Sequence, residues 1–144
     1  MSGEAVGEPN VQQAVPFFMV CDMEASVRFY VDGLGFEITH RWVVDGTLRW
    51  CWMRNGSAAL MLQELTRDGH GPGRPDGKVG LGVSICLLCR DALAIYRELR
   101  ARGVAASVPF VGNAMWVTSL TDPDGYRLDF ESPTDVPEET VYSE

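Results

Sequence analysis

The chain is written twice. An apolar run that ends at an acidic residue, followed by a helical stripe and then a glycine, spans Val15 through Asp22 and Tyr30 to Gly35. The same order returns from Ser84 through Asp91 and Leu99 to Gly103. Asp22 and Asp91 stand 69 residues apart, as do Gly56 and Gly125, while Gly35 and Gly103 are 68 apart. Self-similarity at a long, fixed period marks repeated architecture. Only two copies fit, so the chain is a duplicated module and not a solenoid.

Each copy reads as a strand, a helix and three strands. In the first, Ala14 to Cys21 is a short apolar strand and Asp22 an N-cap with Glu24 in the first turn. Met23, Val27, Tyr30, Val31 and Leu34 follow helical spacing, and Gly35 stops the helix. Strands follow over 36–44, 47–54 and 57–65, joined at Asp45-Gly46 and Asn55-Gly56, both strong hairpin signals. The second copy has a strand over 80–89, an N-cap at Asp91, and a stripe of Ala92, Ile95, Tyr96 and Leu99 before Gly103. Strands over 104–111 (cut short by Pro109), 114–121 and 126–131 complete it, the last entered through the turn Asp122-Pro123-Asp124-Gly125. The expected layout is a lead-in over 1–13, modules over 14–65 and 80–131, a mobile Gly/Pro linker over 66–79, and a loosely held acidic tail over 132–144. Each sheet gains a helix on one face only, so its other face must be covered or must line a cavity.

The 144 residues carry a net charge of −8 and a single lysine, Lys78, which argues against nucleic-acid binding. No apolar run is long enough to span a membrane, and no basic-then-apolar leader opens the sequence, so a cytoplasmic location is expected. Cys86 and Cys89 form a C-x-x-C, but in an apolar run read as a buried strand. Residues three apart there point to opposite faces, so neither a redox pair nor a zinc site is expected.

Two stretches carry a resemblance. Asp22-Met23-Glu24-Ala25-Ser26-Val27-Arg28-Phe29-Tyr30 with Leu34-Gly35-Phe36-Glu37, and Asp122-Pro123-Asp124-Gly125-Tyr126-Arg127-Leu128-Asp129-Phe130, resemble the opening and closing segments of the vicinal-oxygen-chelate superfamily, the glyoxalase / bleomycin-resistance / dioxygenase fold. The resemblance covers about residues 14–133. It implies an α+β fold in which two βαβββ modules form a curved, eight-stranded, U-shaped sheet with helices outside, often as a homodimer. Carried over position by position, the metal ligands of the metal-using members fall at Val15, at Leu60 or Met61 depending on register, at Ser84 and at Asp129. Of these only Asp129 is a good ligand for a divalent ion, and one carboxylate does not hold a metal. No metal or other cofactor is therefore expected, and His40 and His70 read as exposed polar residues, the alternative being catalysis by His40, which requires it to face the cleft.

The cavity should instead be aromatic. Trp50 and Trp52 share a strand face, Phe17 and Met19 share another, and Trp42 and Trp116 lie on further strands. Arg127, Asp129 and Glu131 alternate with Tyr126, Leu128 and Phe130, so the charged set should face the cavity along with Ser84. Such a wall suits a flat or cationic organic molecule. The expected function is metal-free binding of a small molecule, resembling bleomycin-resistance proteins. The alternatives are a metal-dependent glyoxalase-like lyase or isomerase or an extradiol dioxygenase, and a non-catalytic regulatory or partner-binding domain.

Overall fold

The computed structural model describes residue 7, residues 9–65 and residues 79–144. The expected linker, with His70, lies outside the described residues except for Val79.

Both copies fold as βαβββ. The first has β1 (Phe17–Val20), α1 (Met23–Val27), a π-helical continuation (Arg28–Gly33), β2 (Glu37–Val44), β3 (Thr47–Asn55) and β4 (Ala58–Glu64). The second has β5 (Ser84–Leu88), α2 (Ala92–Ala101), β6 (Phe110–Gly112), β7 (Met115–Thr121) and β8 (Arg127–Pro133). The eight strands form two sheets of four, ordered β1-β4-β3-β2 and β5-β8-β7-β6. In each sheet the first strand pairs parallel with the last and the other pairs are antiparallel.

The local signals work as the sequence implies. Asp22 and Asp91 cap their helices, each accepting from the backbone N–H three residues on, at 3.1 and 3.0 Å. Asp45 and Gly46 both take positive φ, at 50° and 77°, giving the two-residue turn whose twist suits a hairpin. The strand expected over 104–111 survives only as Phe110–Gly112. Pro109 has no N–H to offer a ladder, and Ser107 instead bonds Ser119 through its own N–H and Oγ.

One core serves both modules. Leu60, Leu62 and Met53 of the first sheet join Leu128 and Phe130 of the second, with Tyr30 and Leu99 from the helical segments. Three polar joints reinforce it. Tyr30 Oη donates to Asp122 Oδ2 at 2.8 Å, Tyr126 Oη donates to the Met19 carbonyl at 3.0 Å, and Arg102 donates to the Gly33 carbonyl at 3.1 Å. The Tyr126 ring also stacks on Phe18 with centroids 4.1 Å apart. Gly33 lets the two modules approach closely there: a Cβ would stand 3.2 Å from a Val104 methyl, which would have to give by a few tenths of an ångström.

The tail is held, not loose. Glu139 N–H bonds the Val111 carbonyl at 2.8 Å, Val111 N–H bonds the Thr140 carbonyl at 2.9 Å, and Tyr142 N–H bonds the Pro109 carbonyl at 2.9 Å. The tail thus pairs with the edge of β6, which would otherwise present unsatisfied backbone groups. Its acidic composition hid this, because the pairing along β6 is made by the backbone.

Candidate functional site

Within each sheet, alternation sends one set of side chains to the shared core and the other to the far face. In the first sheet Cys51, Met53, Leu60 and Leu62 go inward. The opposite face carries two rows, read straight across by register. One is Phe17, Met61, Trp52 and His40, and the other is Met19, Gln63, Trp50 and Trp42. Phe17 and Trp42 are 43% and 55% exposed, so this aromatic wall is open. Leu60 is fully buried in the core and Met61 stands beside Phe17 and Trp52, which settles the register that the sequence left open.

Two bulges build the wall. Between Ile38 and His40 the extra residue is Thr39 in β2, and between Trp42 and Val43 it is Arg49 in β3. Without the shift, His40 and Trp42 would lie opposite Cys51 and Arg49; with it they lie opposite Trp52 and Trp50. A bulge commonly re-aims a side chain in this way. Arg49, displaced from the ladder, reaches Glu64 at 3.4 Å.

The second sheet sends Leu128 and Phe130 to the core and shows a polar far face. Its rows are Ser84, Arg127 and Thr121; Cys86, Asp129 and Ser119; and Leu88, Glu131, Val117 and Phe110. Arg127 Nε donates to Asp129 Oδ1 at 3.0 Å, and its Nη2 donates to Ser119 Oγ at 3.2 Å. That pair neutralises Asp129, which is only 7% exposed. Arg127 also separates two hollows of about 330 and 400 Å³. A larger one of about 510 Å³ sits apart from both faces, at the start of α1 among Asp22, Glu24, Arg28 and Glu64.

Cys86 faces solvent on this wall, contrary to the expectation of a buried strand residue. Its hydrogen bond to Glu131, then burial and the Glu131 charge, push its thiol up to about 11. Its neighbours therefore hold it in the thiol form, away from the thiolate that acts as nucleophile. No disulfide joins any of the four cysteines, all of which are among the described residues.

The ten residues expected at a site divide three ways. Phe17, Met19, Trp42, Trp50 and Trp52 come together on the aromatic wall. Ser84, Arg127, Asp129 and Glu131 come together on the polar wall. Trp116 joins neither. It lies on the helix side of β7, edge-on to Tyr142 with centroids 6.1 Å apart, because its neighbours Met115 and Val117 take the far face. His40, Met61 and Gln63 also belong to the aromatic wall, although the sequence does not place them among the ligand-binding residues. The alternation of β4 held the signal for Met61 and Gln63, whereas that for His40 was hidden by the bulge.

The positions at which metal-using relatives would bind an ion do not fit one here. Val15 precedes β1, Met61 offers only a thioether, Ser84 is neutral, and Asp129 is engaged by Arg127. Among the described residues no three His, Cys, Asp or Glu side chains converge as a metal set.

The same fold recurs in proteins of known structure. A bleomycin-binding protein crystallised with bleomycin is 22% identical, with a TM-score of 0.63 over 85% of this chain and 98% of that one. TnmS3, an antibiotic binding protein from Streptomyces sp. CB03234, is 23% identical, with a TM-score of 0.61 over 85% and 98%. A bleomycin resistance determinant encoded on the transposon Tn5 is 23% identical, with a TM-score of 0.64 over 88% and 100%. At these identities the likeness is one of fold. No curated protein sequence matches the chain at a significant level. The family profile described as Glyoxalase/Bleomycin resistance protein/Dioxygenase superfamily matches residues 12–130, the whole of both modules up to the middle of β8, and the chain belongs to that superfamily.

Proposed function

We propose that this protein binds a flat aromatic or cationic small molecule and sequesters it unchanged, without a metal or other cofactor. The observation that carries this reading is the aromatic wall. Three tryptophans, a phenylalanine and two methionines share one open sheet face across four strands. A free-standing protein gains nothing by leaving such surface in water, where each Å² buried contributes about 25 cal/mol. Stacking and cation–π contact are what the wall offers a ligand.

The ligand chamber in this reading lies between two copies in a homodimer, with the aromatic wall of one facing the polar wall of the other. Support comes from the complementary character of the two walls and from Leu88 and Phe110, 73% and 41% exposed at the edge of the polar one. Glu131, which no arginine among the described residues neutralises in the way Arg127 neutralises Asp129, then supplies the anionic counterpart for a cation. No helix among the described residues is long and apolar enough to cross a membrane, and the lack of any disulfide among the four cysteines agrees with a reducing, cytoplasmic setting.

The test is titration of tryptophan fluorescence with bleomycin and a panel of planar aromatic cations, with recovered ligand checked by mass spectrometry. Saturable quenching at one ligand per chain and an unaltered ligand are expected. Absence of quenching across the panel, or recovery of a converted product, overturns the reading.

A further inference from the structure

The residue on the aromatic wall that sequence reasoning passed over is also its one titratable member among the two central rows. His40 sits at the end of the row Phe17, Met61, Trp52, and its ring meets Trp52 edge-on with centroids 6.4 Å apart. It is there because of the Thr39 bulge, and Thr39 does more than shift the register. Its Oγ1 lies 3.3 Å from the Trp52 carbonyl and 3.1 Å from His40 Nδ1.

A threonine hydroxyl has one proton, and a carbonyl can only accept. Thr39 therefore donates to Trp52 O and accepts from His40, which requires the proton of the neutral imidazole to sit on Nδ1. Nε2 is left as a bare acceptor. Protonation leaves the Thr39 bond untouched, because Nδ1–H donates in both states. Only Nε2 changes, from acceptor to cationic donor.

We propose that His40 is the polar contact that selects the ligand on this wall, with Thr39 as its positioning residue. This rests on the binding reading above. Neutral His40 takes an N–H donor of the ligand at Nε2, and imidazolium His40 rejects both that donor and a cation. Ligand affinity is thereby linked to pH, and histidine is the side chain that changes charge between pH 5 and 8.

The surroundings leave the role to His40. Across the wall β4 presents Met61 and Gln63, β3 presents Trp50 and Trp52, and β1 presents Phe17 and Met19, all uncharged. In the row next to His40, at the start of β2, the pair Glu37 and Arg54 supplies one charge of each sign. In the paired arrangement the polar wall of the second copy adds Arg127, Asp129 and Glu131.

The probe is an amino-substituted N-methylacridinium, which stays cationic at every pH and carries N–H donors. Its affinity is measured by tryptophan quenching between pH 5 and 8 for wild type, H40Q and T39V. For wild type we expect affinity to fall at least about tenfold on acidification, the scale of losing one hydrogen bond to a group that gains charge. H40Q should bind at pH 8 through its amide oxygen and lose most of the pH dependence. T39V, which frees the tautomer, should bind several-fold more weakly at pH 8 and keep the acid loss. Circular dichroism confirms that each variant is folded. Equal pH profiles for wild type and H40Q overturn the role of His40 while leaving the binding reading intact. No binding of the probe to wild type at any pH overturns both.

Discussion

Tyr30 and Asp122 show how much one hydrogen bond organises. Both are buried, at 0% and 5% exposure, and they come from different modules. Asp122 Oδ2 accepts from Tyr30 Oη, and its Oδ1 accepts from the N–H groups of Asp124 and Tyr126, each at 2.9 Å. Asp122 thus shapes the turn that delivers Tyr126 to Phe18 and also clamps the two modules together. Replacing Asp122 with Ala strands three donors and is expected to cost about 3 kcal/mol, against about 1 kcal/mol for Tyr30→Phe, read from denaturant unfolding. Burial raises the Asp122 pKa above the usual carboxylate value, outweighing the hydrogen bonds that lower it. The native state therefore holds this proton more tightly than the unfolded chain does. The stability due to that proton is full below the ordinary carboxylate range and is lost as pH rises through the folded-state value. Relative to Asp122→Asn, the wild type is expected to gain stability on moving from pH 7 toward about 4; parallel stability profiles for the two proteins would refute this.

At the scale of elements, legibility tracked whether a signal was local. Asp22, Asp91, Asp45-Gly46 and the alternation of β8 announce themselves within a few residues, and the structure uses each as the sequence implies. The duplication extended that reading to the whole fold. What stayed hidden depends on pairing. Nothing in the residues 37–44 marks Thr39 as a bulge, so the face taken by His40 could not be read. Trp116 was assigned to the cavity by residue type, although its row was fixed by the pairing of β7 with β8. The tail was misjudged for the same reason. Its anchor is Glu138, whose carboxylate accepts from the N–H groups of Asn113 and Ala114 at 2.7 and 2.9 Å. Those two residues form the β6–β7 turn with φ of 52° and 62°, a conformation that a glycine adopts without strain. Glu138→Ala is expected to destabilise by about 1–3 kcal/mol through lost charge-assisted hydrogen bonds, and Ala114→Gly to restore about 0.5–1 kcal/mol of it. Thermal unfolding of the single and double variants measures both, and an unchanged midpoint for Glu138→Ala would mean the carboxylate contributes nothing to the turn.

At the scale of the molecule, the shared core decides which sheet faces stay uncovered. It uses the helix side of both sheets, so the aromatic and the polar wall are left on far faces, one per module. A two-fold dimer that apposes unlike walls closes two equivalent chambers, each built from both chains. That arrangement has a consequence that a chamber within one chain lacks. Trp50→Ala damages only the aromatic wall, and Glu131→Lys only the polar one. Each homodimer then carries two defective chambers and should bind a planar cation poorly. In a mixed dimer, one chamber combines the intact aromatic wall of the Glu131→Lys chain with the intact polar wall of the Trp50→Ala chain. The other chamber combines both lesions. Co-refolding equal amounts produces about half mixed dimers by statistics, so about one quarter of the wild-type binding capacity should return, at wild-type affinity. Isothermal titration of the mixture against each variant alone measures the recovered stoichiometry, with sedimentation confirming that the chains pair. Dimers that form and recover no sites would place the ligand within single chains, and chains that sediment as monomers while still binding would do the same.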